Sequence, residues 1–297
     1  MPHRAKGFDD VAGDKAVLLI SCLDQPGIIA RVSNHLYRLG CNIITSDQHT
    51  DDEDGHFFWR ISFESQRLSV AGMRAELERS MDSLLPGLGL KWQLYDAARR
   101  ERMVLMVSRL PHCMSDLLNR RHVGELDADI VAVISNHPAL GPLVTPFKVP
   151  FTVIPVEKGA KAKAEETLLA ELRALDADTV VLARYMQVLS GDFLRKWGRP
   201  IVNIHHSFLP AFAGARPYKQ AHDRGVKLIG ATAHYVTEEL DAGPIIAQAT
   251  TEVTHRDTVA DLARKGKDIE VAVLAKAVRA HLQKRVLVHG NRTIVFD

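Results

Sequence analysis

Downstream of residue 103, two patterns alternate along the chain. Short apolar runs are separated by segments whose apolar residues recur at the three-to-four-residue spacing of a helix. The runs predicted as strands are 103–107, 130–134, 179–182 and 200–204. The clearest helix between them covers 165–175, and a long final helix covers 259–282. Because strands that alternate with helices favour a doubly wound, mostly parallel sheet, we expect an α/β domain over residues 103–297.

The chain before this domain follows a different pattern. Residues 15–96 show strand and helix signals in the order β-α-β-β-α-β, which is typical of a ferredoxin-like fold. The predicted strands are 15–22, 42–50, 56–64 and 88–95, and the predicted helices begin at Asp24 and Ser69. We expect a tail over residues 1–14 and a charged linker over residues 97–102.

Composition excludes several classes of protein. The 297 residues are 46% hydrophobic and 25% charged, and the formal net charge of +2 is too mild to predict a nucleic-acid partner. No apolar run reaches the roughly 18 residues that span a membrane, and residues 1–6 lack the apolar core of a signal peptide. Cys22, Cys41 and Cys113 form no CxxC pair. We therefore expect a protein of the reducing cytoplasm, with no nucleic-acid or membrane partner.

Polar residues stand at the carboxyl end of the predicted strand 200–204 and in a second segment downstream. Asn203 and His205 close the strand, and Asp241 precedes a Gly-Pro pair and another apolar run. Ligands bind at the carboxyl ends of strands in open parallel sheets. An amide donor, a proton-transfer group and a carboxylate suggest acyl-group chemistry without a covalent nucleophile. Each residue taken alone would be an ordinary hydrogen-bonding side chain.

Three segments around these residues resemble a known family. They are 203–205 (Asn-Ile-His), 207–210 (Ser-Phe-Leu-Pro) and 241–245 (Asp-Ala-Gly-Pro-Ile), which are similar to formyltetrahydrofolate-dependent formyltransferases. Residues 24–28 (Asp-Gln-Pro-Gly-Ile) resemble an ACT domain, a small-molecule sensing module. An ACT domain in front of a formyltransferase domain is the layout of the formyltetrahydrofolate deformylases. Further segments that fit that family are 205–212, 214–218 and 290–294.

The resemblance implies hydrolysis of 10-formyltetrahydrofolate to tetrahydrofolate and formate, within one-carbon metabolism and purine biosynthesis. It implies that Asn203 and His205 stabilise the formyl oxyanion while Asp241 positions and activates water. The folate is then the substrate, and neither a cofactor nor a metal is expected. Two alternatives stay open, namely formyl transfer to a small amine and a non-catalytic sensor of folate or an amino acid.

The loop after the first strand of the α/β domain bears on the acceptor. Glycinamide ribonucleotide transformylases, which this chain resembles through the catalytic segment, hold a phosphate there with a Gly/Ser-rich loop. Residues 108–115 contain no glycine, and Pro111 lacks a backbone N–H. The stretch after the last helix also leaves no room for the RNA-binding domain of methionyl-tRNA formyltransferases. We therefore expect water as the acceptor.

The resemblance also implies a folate pocket. The segment that lines it in relatives corresponds to Met186, Gln187, Val188 and Leu189. The family usually has a basic residue where Gln187 stands. Because glutamine is uncharged and cannot form an ion pair with a carboxylate, the contact with the folate tail is expected to be weaker. His137, which follows another strand, is expected either in the pocket at the rim of the cleft or in a surface turn.

His206 adjoins His205, a pairing that could suggest a metal site. Because adjacent residues of a strand point to opposite faces, the two rings are not expected to share one ion, and we predict no metal. His206 is expected instead to shape a water site. Cys113 lacks a partner set for a nucleophile and is expected to be packed in the interior.

The N-terminal module is predicted to bind a small amino acid and to self-associate as a dimer or tetramer. The helix that follows the turn 24–28 offers N-terminal N–H groups that suit a carboxylate. We expect Asp24, Gly27 and Ile28 to form the effector site and Asn42 to complete it across a subunit interface. Glycine and methionine are the effectors to test. The simpler alternative is that this module only holds subunits together.

Overall fold

The computed structural model describes residues 13–210 and 217–297. These residues form two compact units, the first of 13–99 with 296–297 and the second of 100–295. Both units combine helices and strands, so the α/β class predicted from the sequence is confirmed. Within the described ranges, no helix is long and apolar enough to cross a lipid bilayer.

The first unit is an antiparallel sheet covered by two helices. Its elements in the described part of the chain are β1 (Asp14–Leu23), α1 (Ile28–Arg38), β2 (Cys41–Asp51), β3 (His56–Ser65), α2 (Val70–Leu84) and β4 (Lys91–Asp96). The strand order is β2-β3-β1-β4, and the predicted β-α-β-β-α-β arrangement is confirmed. Both helices bury one face against the sheet, through Ile28, Val32 and Leu36 of α1 and Met73, Leu77 and Met81 of α2.

The first helix begins later than the sequence pattern predicted. It starts at Ile28 rather than at Asp24, because Gly27 adopts a left-handed backbone (φ 93°) and serves as the N-cap. The Gly27 carbonyl accepts the Arg31 N–H at 3.0 Å, which is the first bond of the helix. Pro26 therefore lies in the preceding turn instead of the first helical turn.

The second unit is built on a mostly parallel sheet with helices on both faces. Its elements in the described ranges are β5 (Glu101–Val107), α3 (His112–His122), β6 (Ala128–Ser135), α4 (Gly141–Val144), β7 (Phe151–Val153), α5 (Lys161–Ala174), β8 (Thr179–Leu182), α6 (Gly191–Trp197), β9 (Ile201–His205), α7 (Pro217–Arg224), β10 (Leu228–Tyr235), β11 (Ile245–Glu252), α8 (Val259–Leu282), β12 (Val286–His289) and β13 (Arg292–Val295). The main sheet has the order β11-β10-β9-β8-β5-β6-β7. Helices α3 and α8 pack on one face, and α5 and α6 pack on the other. The predicted doubly wound sheet is confirmed.

One edge of this sheet is antiparallel. β10 pairs in antiparallel fashion with both β9 and β11, whereas the pairs from β9 through β7 are parallel. β8 and α8 have the predicted bounds, but β10 and β11 were not assigned from the sequence. The β10 residues 228–235 are mainly small or polar, so they carry little of the apolar signal that marked the other strands.

The start of β5 also differs from the pattern. Glu101 and Arg102, expected in the linker, belong to the strand and pair with the start of β6. The Arg102 N–H donates to Asp178 Oδ2 at 2.9 Å, and the Arg102 guanidinium donates to the Leu175 carbonyl. These contacts extend β5 into residues that their charged composition had placed in the predicted linker.

The strand order creates a topological switch point between β5 and β8. From β5 the chain runs outward through β6 and β7, and then returns to form β8 on the other side of β5. The loops after β5 and β8 therefore diverge, and a crevice opens at the carboxyl ends of these strands. β9 lies beside β8 and ends at the same edge.

Candidate active site

Asn203 is oriented by a histidine on the neighbouring antiparallel strand. In the register between β9 and β10, Asn203 pairs with His234, and Asn203 Nδ2 lies 3.1 Å from His234 Nε2. His234 Nδ1 lies 2.9 Å from the Tyr235 backbone carbonyl, which only accepts, so Nδ1 carries the ring proton. Burial lowers the pKa of His234 and keeps the ring neutral. Its Nε2 therefore accepts one N–H of Asn203, and the second N–H remains for a ligand.

His205 and Asp241 are paired at the same strand end. His205 Nδ1 lies 3.2 Å from Asp241 Oδ2, and the His205 side chain is 6% exposed. The hydrogen bond from His205 is the main cause that lowers the pKa of Asp241, so this carboxylate is ionised at neutral pH. His205 Nε2 is buried and has no hydrogen-bond partner among the described residues. It is therefore the ring nitrogen left to meet a substrate.

The loop that carries Asp241 has a constrained backbone. Asp241 has a φ of 54°, in the left-handed region that few residues other than glycine adopt. Gly243 approaches the Tyr235 carbonyl so closely that a Cβ would lie 1.8 Å from its oxygen. The Tyr235 N–H in turn donates to the Pro244 carbonyl at 2.9 Å. The Gly-Pro pair thus fixes this loop against the end of β10, as is common for strained residues at functional sites.

The structure brings Asn203, His205 and Asp241 together and adds His234, which was not predicted from the sequence. The position of His234 follows from the antiparallel pairing of β10 with β9, a pairing that no pattern in the sequence specified. The available signal was a histidine within the run 228–235, shortly before Asp241.

The expectation that His205 and His206 point in opposite directions is wrong. β9 ends at His205, so strand alternation does not extend to His206, and the two ring centroids lie 5.1 Å apart. Burial, followed by the positive charge of Arg184 and the proximity of His205, lowers the pKa of His206 to about 4. A neutral imidazole therefore lies beside His205.

The predicted folate segment follows β8 at the same edge of the sheet. Met186 and Val188 are 58% and 54% exposed, which is high for large apolar side chains and suits a surface covered by a ligand. Gln187 and Leu189 line a small cavity against α5. The Met186 N–H donates to Ser108 Oγ at 2.9 Å, which joins this segment to the end of β5.

His137 lies farther along the edge. It follows β6, which β5 and β8 separate from β9 in the sheet. Its backbone N–H donates to Ser135 Oγ at 3.1 Å, and it caps the short 3₁₀ turn Pro138–Leu140. The fold places His137 in a turn of the rim instead of beside Asn203 and His205.

Two family models match the chain. The formyl transferase model covers residues 101–278, and the ACT domain model covers residues 16–71. A formyltetrahydrofolate deformylase from Mycobacterium tuberculosis is 51% identical over 281 residues, which cover 94% of this chain and 90% of that protein. This chain belongs to the formyltetrahydrofolate deformylase family.

Solved structures agree with this membership. The crystal structure of a formyltetrahydrofolate deformylase from Pseudomonas syringae pv. tomato has a TM-score of 0.91 and 44% identity, and the match covers 97% of this chain and 96% of that chain. A glycinamide ribonucleotide transformylase from Symbiobacterium toebii has a TM-score of 0.65 and 31% identity, and the match covers 69% of this chain and 98% of that chain. The deformylase similarity therefore extends over both units of the chain.

A second set of polar side chains is buried in the formyl transferase unit of this deformylase family member. Glu270 of α8 is 1% exposed and accepts hydrogen bonds from the Tyr218 hydroxyl at 2.6 Å and from His112 Nε2 at 2.8 Å. Within the described residues, His112, Cys113 and Glu270 are close enough to surround a metal ion. Arg184 Nε, however, lies 3.4 Å from the same Glu270 oxygen, and its charge would repel a cation. Burial also raises the pKa of the Cys113 thiol far above its usual value, which disfavours the thiolate that metals require.

The residues predicted to bind an effector lie in the ACT unit. Gly27 and Ile28 form the start of α1, whose first N–H groups have no partner within the helix. Asp24 lies in the same turn and accepts a hydrogen bond from Thr50 Oγ1 at 3.2 Å. Asn42 is exposed near the start of β2, whereas Thr50 lies near its end. Asn42 is therefore separated from the other three residues along an edge strand.

Proposed function

We propose that this chain hydrolyses 10-formyltetrahydrofolate to tetrahydrofolate and formate, the reaction for which its relatives are named. The observation that carries the proposal is the convergence of Asn203, His205 and Asp241 at the carboxyl end of β9. The folate substrate and water supply all the atoms of this reaction, so the scheme uses no metal or further cofactor. As a one-carbon reaction it belongs in the cytoplasm, where purine biosynthesis uses the same folate pool.

Asn203 stabilises the negative charge that forms on the formyl oxygen. When water adds to the formyl carbon, the carbonyl oxygen becomes an oxyanion and requires hydrogen-bond donors. The second N–H of Asn203 is one donor, since His234 takes only the first. His205, protonated at Nε2, is the other donor, and the ionised Asp241 on Nδ1 stabilises that imidazolium.

Asp241 acts as the base toward water. Its Oδ2 is engaged by His205, whereas Oδ1 lies 3.8 Å from His234 Nε2, beyond hydrogen-bonding distance, and is available to accept a proton. As the water oxygen bonds to the formyl carbon, Asp241 takes one proton. His205 then gives its Nε2 proton to N10 as the C–N10 bond breaks. Asp241 then releases its proton to solvent, His205 regains a proton at Nε2 from solvent, and the formic acid ionises to formate, so that one net proton is released.

The loop after β5 supports water as the acceptor. Ser108 Oγ donates to Asn136 Oδ1 at 2.7 Å and accepts the Met186 N–H, so this hydroxyl is already occupied. Pro111 is the N-cap residue of α3. It lacks a backbone N–H, and it gives the helix start no side-chain hydrogen bond. A phosphate-bearing amine would find few of the donors that a phosphate loop supplies.

The segment Met186, Gln187, Val188 and Leu189 forms the proposed folate pocket. Its exposed apolar side chains can cover the flat ring system of the substrate, and the small cavity against α5 adjoins it. Gln187 offers hydrogen bonds but no charge to the acidic tail of the folate, so that contact is weaker than with a basic residue. His206, neutral beside His205, shapes the position of the water. His137 lies at the outer rim.

The ACT unit is the proposed regulatory site. Asp24, Gly27 and Ile28 present a turn and a helix N-terminus that suit a small amino acid such as glycine or methionine. Asn42 completes the site from the edge strand of a second copy, so the functional form is a homo-oligomer, either a dimer or a tetramer.

Formate release with water as the only acceptor tests the proposed function. The purified chain is incubated with 10-formyltetrahydrofolate, without amine, nucleotide or added metal, and formate and tetrahydrofolate are quantified. We expect equal amounts of both products. Dependence of turnover on an added amine would instead indicate a formyltransferase, and binding without turnover would indicate a sensor.

The same assay tests whether Asp241 acts as the base. Asp241→Asn preserves the shape of the side chain and removes the base, so we expect kcat to fall by about two orders of magnitude. Asp223→Asn is the matched control, because it removes an exposed carboxylate that pairs with neighbouring groups of α7 such as Lys219. A near-normal kcat for Asp241→Asn at saturating substrate contradicts the assigned role.

A further inference from the structure

Arg184 is a buried cation in the crevice at the switch point of the sheet. It follows β8, and its carbonyl accepts the Ser108 N–H at 3.2 Å, which ties it to the end of β5. Its φ of 67° lies in the left-handed region, where few residues other than glycine occur. The Arg184 side chain is 9% exposed, so more than nine tenths of it is buried.

The Arg184 guanidinium has unused hydrogen-bonding capacity. Nε and Nη1 are buried, and neither makes a hydrogen bond within the described part of the chain, although Nε lies 3.4 Å from Glu270 Oε2 as an ion pair. A buried donor without an acceptor is energetically unfavourable, so the site favours a ligand with hydrogen-bond acceptors. His112, the first residue of α3, lies beside this site, because its side chain and that of Arg184 both contact Glu270.

The carboxylate beside Arg184 is already satisfied. Glu270 accepts from the Tyr218 hydroxyl at 2.6 Å and from His112 Nε2 at 2.8 Å. Gly266, one turn earlier on α8, makes room for this arrangement, since a Cβ there would lie 2.0 Å from the Tyr218 hydroxyl oxygen. These donors and the ion pair with Arg184 occupy the Glu270 carboxylate, so Glu270 leaves Nη1 of Arg184 without an acceptor.

His206 connects this crevice with the catalytic strand end. Its ring centroid lies 5.1 Å from that of His205 and 6.1 Å from that of Tyr218. Four charged or titratable groups act on His206, namely Arg184, His205, Glu270 and Asp241, and burial lowers its pKa to about 4. A neutral His206 ring therefore lies near both sets of side chains.

We propose that Arg184 binds the small carboxylate product, formate, after it forms at His205. This inference rests on the proposed function. Formate arises beside the ionised Asp241, and the two negative charges repel each other. Arg184 follows β8, the neighbour of β9 in the sheet, and its planar fork of donors matches a carboxylate. The crevice therefore gives formate a place to move to, which clears the attacking position for the next water.

Formate binding is measured directly, in the absence of folate. Carbon-13-labelled formate is titrated into the full chain and followed by NMR line broadening, with competition by nitrate, a planar anion of similar size. We expect the unaltered chain to bind formate. For Arg184→Lys we expect a dissociation constant at least tenfold higher, because lysine keeps the positive charge and loses the planar fork of donors. Arg195→Gln is the control, because it removes an exposed arginine paired with Glu238 and should bind formate normally.

Absence of formate binding to the unaltered chain at tens of millimolar, or equal binding by Arg184→Lys, overturns the proposal. If Arg184→Lys does not fold, a crystal structure of the unaltered chain with formate decides: formate within hydrogen-bond distance of Arg184 supports the proposal, and water alone at Arg184 overturns it. The titration does not depend on turnover. A chain that releases formate but binds none at Arg184 contradicts this inference alone, whereas an inactive chain contradicts the proposed function.

Discussion

At the scale of single residues, His234 decides which way the Asn203 amide points. The neutral ring accepts at Nε2, so Asn203 presents Nδ2 to it. A protonated His234 would donate at Nε2, and the amide would turn its oxygen toward the ring. Because burial holds the pKa of His234 below its usual value, the neutral ring persists through neutral pH and is lost only on acidification.

Replacement of His234 should therefore impair turnover more than binding. His234→Ala removes the acceptor that orients Asn203, and loss of one such hydrogen bond corresponds to about a tenfold decrease in kcat. His234→Gln, whose side-chain oxygen can accept the same N–H, should recover part of this loss. Steady-state kinetics check both values, and a kcat for His234→Ala equal to that of the unaltered chain would refute the orienting role.

The same residues show what could be predicted at this scale. Asn203, His205 and Asp241 were identifiable because their types suit one reaction and they adjoin predicted strand ends. His234 was not, because its position depends on the register of an antiparallel strand that forms only in three dimensions. The relation of His206 to His205 was mispredicted for a similar reason, since the strand ends between them.

At the scale of elements, α8 shows why some boundaries were predictable. Its start is a capping box in which Thr258 Oγ1 accepts the Asp261 N–H and Asp261 accepts the Thr258 N–H. A long periodic helix with such a cap is strongly specified by local sequence. α1 was assigned too early because only the observed backbone of Gly27 shows where the turn ends. The formation of β10 and β11 depends more on their antiparallel pairing with neighbouring strands than on their own composition.

Loss of the cap should destabilise the helix that carries Glu270. We expect Thr258→Ala to lower the free energy of unfolding by about 1 kcal/mol, which corresponds to a Tm decrease of roughly 2–4 °C for a domain of this size. Thr167→Ala is the control, since Thr167 is exposed within α5 and its hydroxyl donates to the Lys163 carbonyl of the same helix. Thermal denaturation compares the two, and equal Tm values would show that the cap contributes nothing measurable.

At the scale of the whole molecule, the chain combines a catalytic fold with an ACT domain. Sequence patterns predicted both folds, because each has a characteristic order of strands and helices. They did not specify an effector or an assembly, since both depend on surfaces that meet only between copies. In the ACT unit, the separation of Asn42 from Asp24 along β2 is the feature that favours a site shared by two copies.

Removal of the ACT unit should abolish both regulation and part of the assembly. We expect the full chain to bind glycine or methionine in isothermal titration, with a coupling to catalysis of roughly 1–3 kcal/mol, or about 5–150-fold in affinity. A chain that begins at Arg100 should lose this response and show a lower mass by light scattering. Asn42→Ala in the full chain should weaken effector binding in the titration and leave the mass of the assembly unchanged. No binding to the full chain, together with unchanged mass on truncation, would refute the regulatory role.

We infer that water attacks the formyl carbon at Asn203, His205 and Asp241. Turnover of 10-formyltetrahydrofolate in oxygen-18-enriched water, with mass spectrometry of the formate, follows that water into the product. We expect formate with one oxygen from solvent and one from the original formyl group, and a rate of labelled formate release that is about two orders of magnitude lower in Asp241→Asn. Formate without solvent oxygen, or labelled formate released at an unchanged rate by Asp241→Asn, would contradict it.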